Sequence, residues 1–168
     1  MDYQLGQLPP LISGMIPKLD VTITPPITDI GEAIHTGRGQ YHSTRILAIL
    51  ESQGNLAAFE KILGVTSVDL YNPSPMADGT GFVFGEARAP GRSGIVSTFR
   101  LGAGLPGSVV FDNRVKKEVV NELGHMMGLE HCPSLSCVMC KSENVDDTDA
   151  KSDRYCEKCQ IVLKGLRR

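Results

Sequence analysis

The residues best placed to do chemistry lie in one run, Asn121-Glu122-Leu123-Gly124-His125-Met126-Met127-Gly128-Leu129-Glu130-His131. On a helix, positions 121 and 125 are i and i+4, so their side chains stack on one face. Glu122 is rotated by one step and looks into the same cleft from the side. Gly128 lets the backbone reverse, so His131 returns towards His125. That arrangement presents ligands to one tetrahedral metal and leaves a position open for water. Glu122 is then the general base that takes a proton from that water. The weak member is Asn121, a hard oxygen donor and a poor zinc ligand beside imidazole. Three protein ligands normally hold a catalytic zinc. A second, catalytic zinc is therefore an open expectation here.

Five cysteines follow, and none precedes residue 132. Spacing alone selects Cys137-Val138-Met139-Cys140 with Cys156-Glu157-Lys158-Cys159, two C-x₂-C pairs of the kind that hold structural zinc. Cys132, Cys137, Cys156 and Cys159 form a second possible set. Either would fold the C-terminal segment back against the end of the histidine-bearing helix. Such a site is closed, so its role is folding. Buried apolar thiols, or a disulfide from Cys132, are the plainer alternatives.

These side chains need elements to hold them. Val115, Val119, Val120, Leu123, Met126 and Met127 give Arg114–Met127 a broad apolar helical face, and Gly128 stops it. Ile46, Leu47, Ile49 and Leu50 predict a helix over Tyr41–Gln53, which Phe59–Leu63 could extend. Alternation and turn signals predict strands at Leu19–Pro25, Val65–Tyr71, Gly81–Glu86 and Gly94–Phe99. Residues 87–93 read as a hairpin loop between the last two. Residues 1–18 read as an irregular entry segment, 101–113 as an irregular Gly-rich stretch, and the acidic residues 143–153 as a solvated loop. His35 and His42 fit no ligand spacing. The order of elements predicts an α/β (α+β) fold with a mixed twisted sheet and two main helices. One domain is expected over 1–168, with an N-terminal part, 1–128, and a cysteine-rich lobe, 129–168.

Composition narrows the function. Lys plus Arg number 17 against 19 acidic residues, a net charge of −2, which argues against a nucleic-acid binder. Hydrophobic residues make up 41%, enough for a core. No apolar run reaches the roughly 18 residues a membrane span needs. Met1-Asp2-Tyr3-Gln4 has no basic leader character. Clustered cysteines without a leader point to a cytoplasmic protein with reduced thiols.

The motifs together resemble the archaemetzincin (archaelysin) family of metzincin zinc metallopeptidases. The run from Glu122 to His131 is similar to H-E-x-x-H-x-x-G-x-x-H, with Asn121 at the first ligand position. His131-Cys132, then Cys137-Val138-Met139, then Cys156-Glu157-Lys158-Cys159 continue the likeness. Upstream, Gly39–Thr44, Leu63–Leu70, Phe82–Ala87 and Ser97–Leu101 also look family-like, so the resemblance covers roughly 40–160. It implies a metzincin fold, a structural zinc on Cys132, Cys137, Cys156 and Cys159, and Met139 as the Met-turn residue beneath a catalytic metal. Cys140 is left without a role. It further implies a peptidase acting on peptide or protein as a monomer, with the substrate extended along the 81–87 or 94–100 strand. A zinc-stapled peptide-binding module without catalysis is the alternative.

Overall fold

The computed structural model describes residues 3–16, 19–73, 81–102 and 107–166. Its elements are α1 (Leu8–Met15), β1 (Ile34–His35), β2 (Gln40–His42), α2 (Ser43–Ser52), β3 (Ile62–Thr66), β4 (Leu70–Tyr71), β5 (Gly85–Ala87), β6 (Ser93–Ser97), α3 (Val109–Met126), α4 (Val145–Ala150) and α5 (Glu157–Leu166). The fold is mixed α+β. Two small sheets carry the strands, in the orders β1-β2-β4 and β3-β6-β5.

The second sheet positions the chemistry. β6 is parallel to β3 and antiparallel to β5, with Val96 opposite both Val65 and Gly85. Every residue of β6 is buried, as expected of a strand covered on both faces. Its successive residues serve different layers. Ile95 packs with Ile46, Ile49 and Leu50 of α2, and Val96 with Val115, Val119 and Leu123 of α3. The β5–β6 hairpin falls where turn residues placed it.

Five expectations change. The entry segment is not irregular throughout. Leu8-Pro9-Pro10 opens α1, because proline is tolerated in a first helical turn, where no N–H is needed. Leu19–Pro25 is no strand. Residues 19–30 run without turn or bend and form no ladder among the described residues. Phe59–Leu63 does not extend α2, since Ile62 and Leu63 already belong to β3. The expected strand at 65–71 divides into β3 and β4. Finally, α3 starts at Val109, earlier than its apolar face indicates, because the Ser108 hydroxyl accepts from the Phe111 N–H at 3.1 Å and caps the helix. No helix among the described residues is long and apolar enough to cross a membrane.

Candidate active site and metal centre

α3 ends in a Schellman turn. Gly128 has φ +97°, its N–H reaches the His125 carbonyl at 2.8 Å, and Leu129 N–H reaches the Gly124 carbonyl at 2.9 Å. The reversal brings His131 back against His125, with ring centroids 4.6 Å apart and planes at 87°. The two Nε2 atoms stand 3.3 Å apart. The Nδ1 of His125 lies 2.8 Å from the Leu129 carbonyl. A carbonyl only accepts, so Nδ1 carries the proton and Nε2 presents its lone pair. Two nitrogens bound tetrahedrally to one zinc at 2.0–2.1 Å are about 3.3–3.4 Å apart. The pair therefore has the spacing of two ligands of one ion. Burial lowers the pKa of both rings, and His131, also facing His125, falls to about 4. Both are thus in the neutral form that ligates.

Glu122 is buried beside β5, where a Cβ on Gly85 would stand 2.7 Å from its Oε1. Burial, with Glu118 adding to it, pushes its carboxyl well above the usual range, while Lys151 pulls the other way. Asn121 is buried too, and its Nδ2 donates to the Val138 carbonyl at 3.0 Å. Its carboxamide is thereby tied to the turn that carries Met139. Met139 is fully buried under α3. A Cβ on Gly124 would overlap its Sδ and lie 3.2 Å from Tyr155 Cε1.

Immediately after His131, the thiols of Cys132, Cys137, Cys156 and Cys159 all lie within 4.8 Å of one another. Cys132 and Cys156 Sγ are 3.9 Å apart, and those of Cys137 and Cys159 are 3.6 Å apart. Tetrahedral zinc with bonds of 2.3 Å separates sulfurs by about 3.8 Å, so this group could hold a structural zinc. Of the two sets that spacing allowed, the fold assembles the one containing Cys132, and Cys140 stays outside it. Burial pushes the Cys137 and Cys159 thiols up, whereas backbone N–H donation from Cys159 brings Cys156 down to about 7.

The profile of peptidase family M54 matches residues 19–165. The chain belongs to that family. The archaemetzincin of Methanopyrus kandleri is 41% identical over 132 residues, which are 78% of this chain and 70% of that protein. The archaemetzincin of Methanocaldococcus jannaschii is 39% identical over 154 residues, covering 89% of this chain and 76% of that one. The crystal structure of the M. kandleri protein superimposes with a TM-score of 0.82 at 34% identity, covering 98% of this chain and 86% of that chain. The Archaeoglobus fulgidus archaemetzincin, crystallised with malonate, gives 0.74 at 32% identity, over 96% and 94%.

Other M54 residues around the site left no local signal. Glu118, one turn before Glu122, pairs with Lys151 at 2.9 Å, and their side chains are 5% and 1% exposed. Lys151 also donates to the Cys140 carbonyl at 3.3 Å. Arg114 holds Asp149 through two bonds of 2.8 and 2.6 Å. These contacts overturn the reading of 143–153 as a solvated loop. The segment folds as α4, closed by an Asn144/Asp147 capping box, and rivets the lobe to α3. Of the two strands offered for substrate, only β5 is an edge, because β6 is paired on both sides. His35 and His42 pack against Tyr71 and not at the site.

Proposed function

We propose that this M54 chain is a zinc-dependent metallopeptidase whose hydrolytic centre is built from Glu122, His125 and His131 and weakened by Asn121. The convergence of the two imidazole Nε2 atoms at 3.3 Å carries this reading. His125 and His131 would hold a zinc ion there through their Nε2 atoms, and the ion would supply Lewis acidity towards water and the scissile carbonyl. Glu122 accepts the water proton on its carboxylate and passes it to the leaving amine. The Leu129 carbonyl fixes the ring of His125 for ligation. The edge of β5, which pairs with no further strand among the described residues, receives an extended peptide through backbone hydrogen bonds, next to Glu122. Met139 is the Met-turn residue that packs beneath the histidine site. Cys132, Cys137, Cys156 and Cys159 hold a second, structural zinc that serves folding. The single domain thus divides into 1–128, which ends with the active-site helix, and the zinc lobe 129–168. The protein works as a cytoplasmic monomer on peptides or proteins, without nucleic acid or membrane.

A second reading is supported by the hydrogen bond from Asn121 to Val138. With that amide committed to the backbone, two imidazoles alone face the metal, and the chain becomes a zinc-stapled peptide-binding module. Metal analysis separates the two. Two zinc ions per chain with peptide cleavage support the enzyme, and one thiolate-bound zinc supports the module. Asn121→His restores a third nitrogen ligand and should raise both the occupancy of the histidine site and cleavage. If neither moves, Asn121 is not the weakening residue.

A further inference from the structure

The last carbonyls of a helix have no partner inside it, and at the end of α3 each finds one elsewhere. The Gly124 and His125 carbonyls accept from Leu129 and Gly128 in the Schellman turn. The Met126 carbonyl is next in line, and two donors from the sheet side take it. One is the Gly91 N–H at 3.0 Å, in the 88–92 loop between β5 and β6. The other is the Lys61 Nζ at 3.1 Å. The same Nζ donates to the Gly91 carbonyl at 2.6 Å. One ammonium therefore ties the hairpin loop to the end of the helix.

The chain delivers Lys61 to this point through β3. Lys61 directly precedes that strand, and the Ile62 N–H bonds the Arg92 carbonyl at 2.8 Å, so the lysine stem begins beside the loop. Lys61 is half-buried, and a cation at a helix C-terminus is favoured by the helix dipole. Two packing contacts brace the same joint. A Cβ on Gly94 would stand 2.8 Å from the Met126 Sδ, and a Cβ on Gly128 would lie 3.6 Å from the Pro90 Cβ. Met126 is fully buried. It is thus held at its carbonyl by the loop and at its side chain by β6. His125 is its neighbour, and Gly128, where the chain reverses to return His131, follows two residues later. β5 runs straight into the same loop.

We propose that Lys61 is a positioning residue for the histidine pair. Its ammonium clamps the Gly91 and Met126 carbonyls together and so sets the approach of the two Nε2 atoms and their place beside the β5 edge. This rests on the reading of His125 and His131 as ligands of one ion. Lys61 acts through the backbone of α3, as groups outside the ligand set act on a metal through the ligands they orient.

The test uses the 168-residue protein with zinc in its thiolate lobe and cobalt as the probe of the histidines. Cobalt held by imidazoles lacks the charge-transfer band of cobalt thiolates, so binding at the two centres is read separately. Lys61→Met keeps the stem and removes the donors. It should weaken cobalt binding at the histidine pair about tenfold or more and leave the zinc of the lobe in place. Lys61→Arg keeps the charge and a donor for each carbonyl and should stay near the parent. A lysine that served the fold alone would lower the thermal midpoint and leave cobalt affinity in the folded protein unchanged, and that result overturns the proposal. So does a Lys61→Arg variant no tighter than Lys61→Met. A second measurement needs no metal at the histidines. The rings, 4.6 Å apart, should show a nuclear Overhauser effect in the parent and in Lys61→Arg that is lost in Lys61→Met. If the parent itself binds no cobalt at the histidines, the proposed hydrolytic centre fails, and the ring signal alone decides the clamp. Its persistence in Lys61→Met overturns the role of Lys61.

Discussion

The thiolate cluster and the histidine pair adjoin at His131-Cys132, yet they stand in different conditions. The cluster has four donors at zinc spacing. The histidine pair has two donors at zinc spacing and, where a third belongs, an amide bonded to Val138. A closed tetrahedral site fails when one ligand is lost, because the metal is part of the fold. An open site can lose a ligand and leave the fold standing, because its residues are held by other contacts. In this chain those contacts are the Schellman turn at Gly128 and the charge pairs between α3 and α4. On the proposed function, folding and hydrolysis would have separate metal requirements in adjoining residues.

The sharpest way to break that contrast is to remove a thiolate. Cys137→Ser should abolish zinc retention in the lobe and unfold it. Structural zinc contributes about 10–16 kcal/mol in small zinc domains, comparable with the whole stability of a typical domain, about 5–15 kcal/mol. Metal analysis and a thermal melt check this. A variant that keeps its zinc and its midpoint would mean the cluster is not a structural centre. Lys151→Met comes next. It leaves Glu118 charged and buried without its partner, which costs about 3–5 kcal/mol. Urea unfolding should show that loss while the zinc content of the lobe is unchanged in the folded protein. Loss of that zinc instead would mean the two regions are not separately held.

How much of this was legible in the sequence differs between the regions for physical reasons. α3 and its Glu122, His125 and His131 arrangement follow from helical periodicity and a terminating glycine, which are local rules. The thiolate set was not fixed by spacing. C-x₂-C counting favours Cys140, and the fold takes Cys132 because the turn after His131 delivers it, with Cys132 N–H bonded to the Met139 carbonyl at 2.9 Å. The pairs Glu118–Lys151 and Arg114–Asp149 were invisible because charged residues in an acidic stretch look solvated until a distant helix covers them. The strand character of 19–25 was read from alternation, but a strand needs a partner, and none of the described segments supplies one. Gly124 carries no signal in the sequence, since only the approach of Met139 reveals why a side chain is excluded there.

Gly124→Ala tests the histidine side of the boundary. An added methyl normally favours a helix by about 1 kcal/mol. Here it overlaps the Sδ of Met139, which is fully buried, so the Met139 side chain must shift within the core. Overpacking of this kind costs about 1–3 kcal/mol, so a net loss in urea unfolding is expected. The zinc of the lobe should stay, and any metal held by His125 and His131 should bind more weakly as Met139 shifts beneath them. A gain in stability would show that Met139 yields and that its packing does not brace the site.

The smallest expected effect is a pH dependence in the rivet between α3 and α4. The Arg114 guanidinium holds the Asp149 carboxyl below its ordinary value by hydrogen bonding. A carboxyl with a depressed folded pKa contributes stability that is present above its unfolded pKa, about 3.9, and is lost as the pH falls through its folded value. Asp149 is 40% exposed, so water and salt screen the pair and its contribution is about 1 kcal/mol or less. Asp149→Asn should therefore lower the melting midpoint by a small constant amount between pH 5 and 7. The difference should begin to close as the pH falls below about 4 and should vanish once the pH has passed the lower folded value of Asp149, where the parent carboxyl also becomes neutral. Acid strips zinc from thiolates as well, but that loss falls on both proteins and cancels in their difference. A gap that does not narrow between pH 5 and pH 3 would assign the effect to packing of the side chain. A gap that vanishes when zinc is removed at pH 6 would mean the rivet and the thiolate centre fold as one unit.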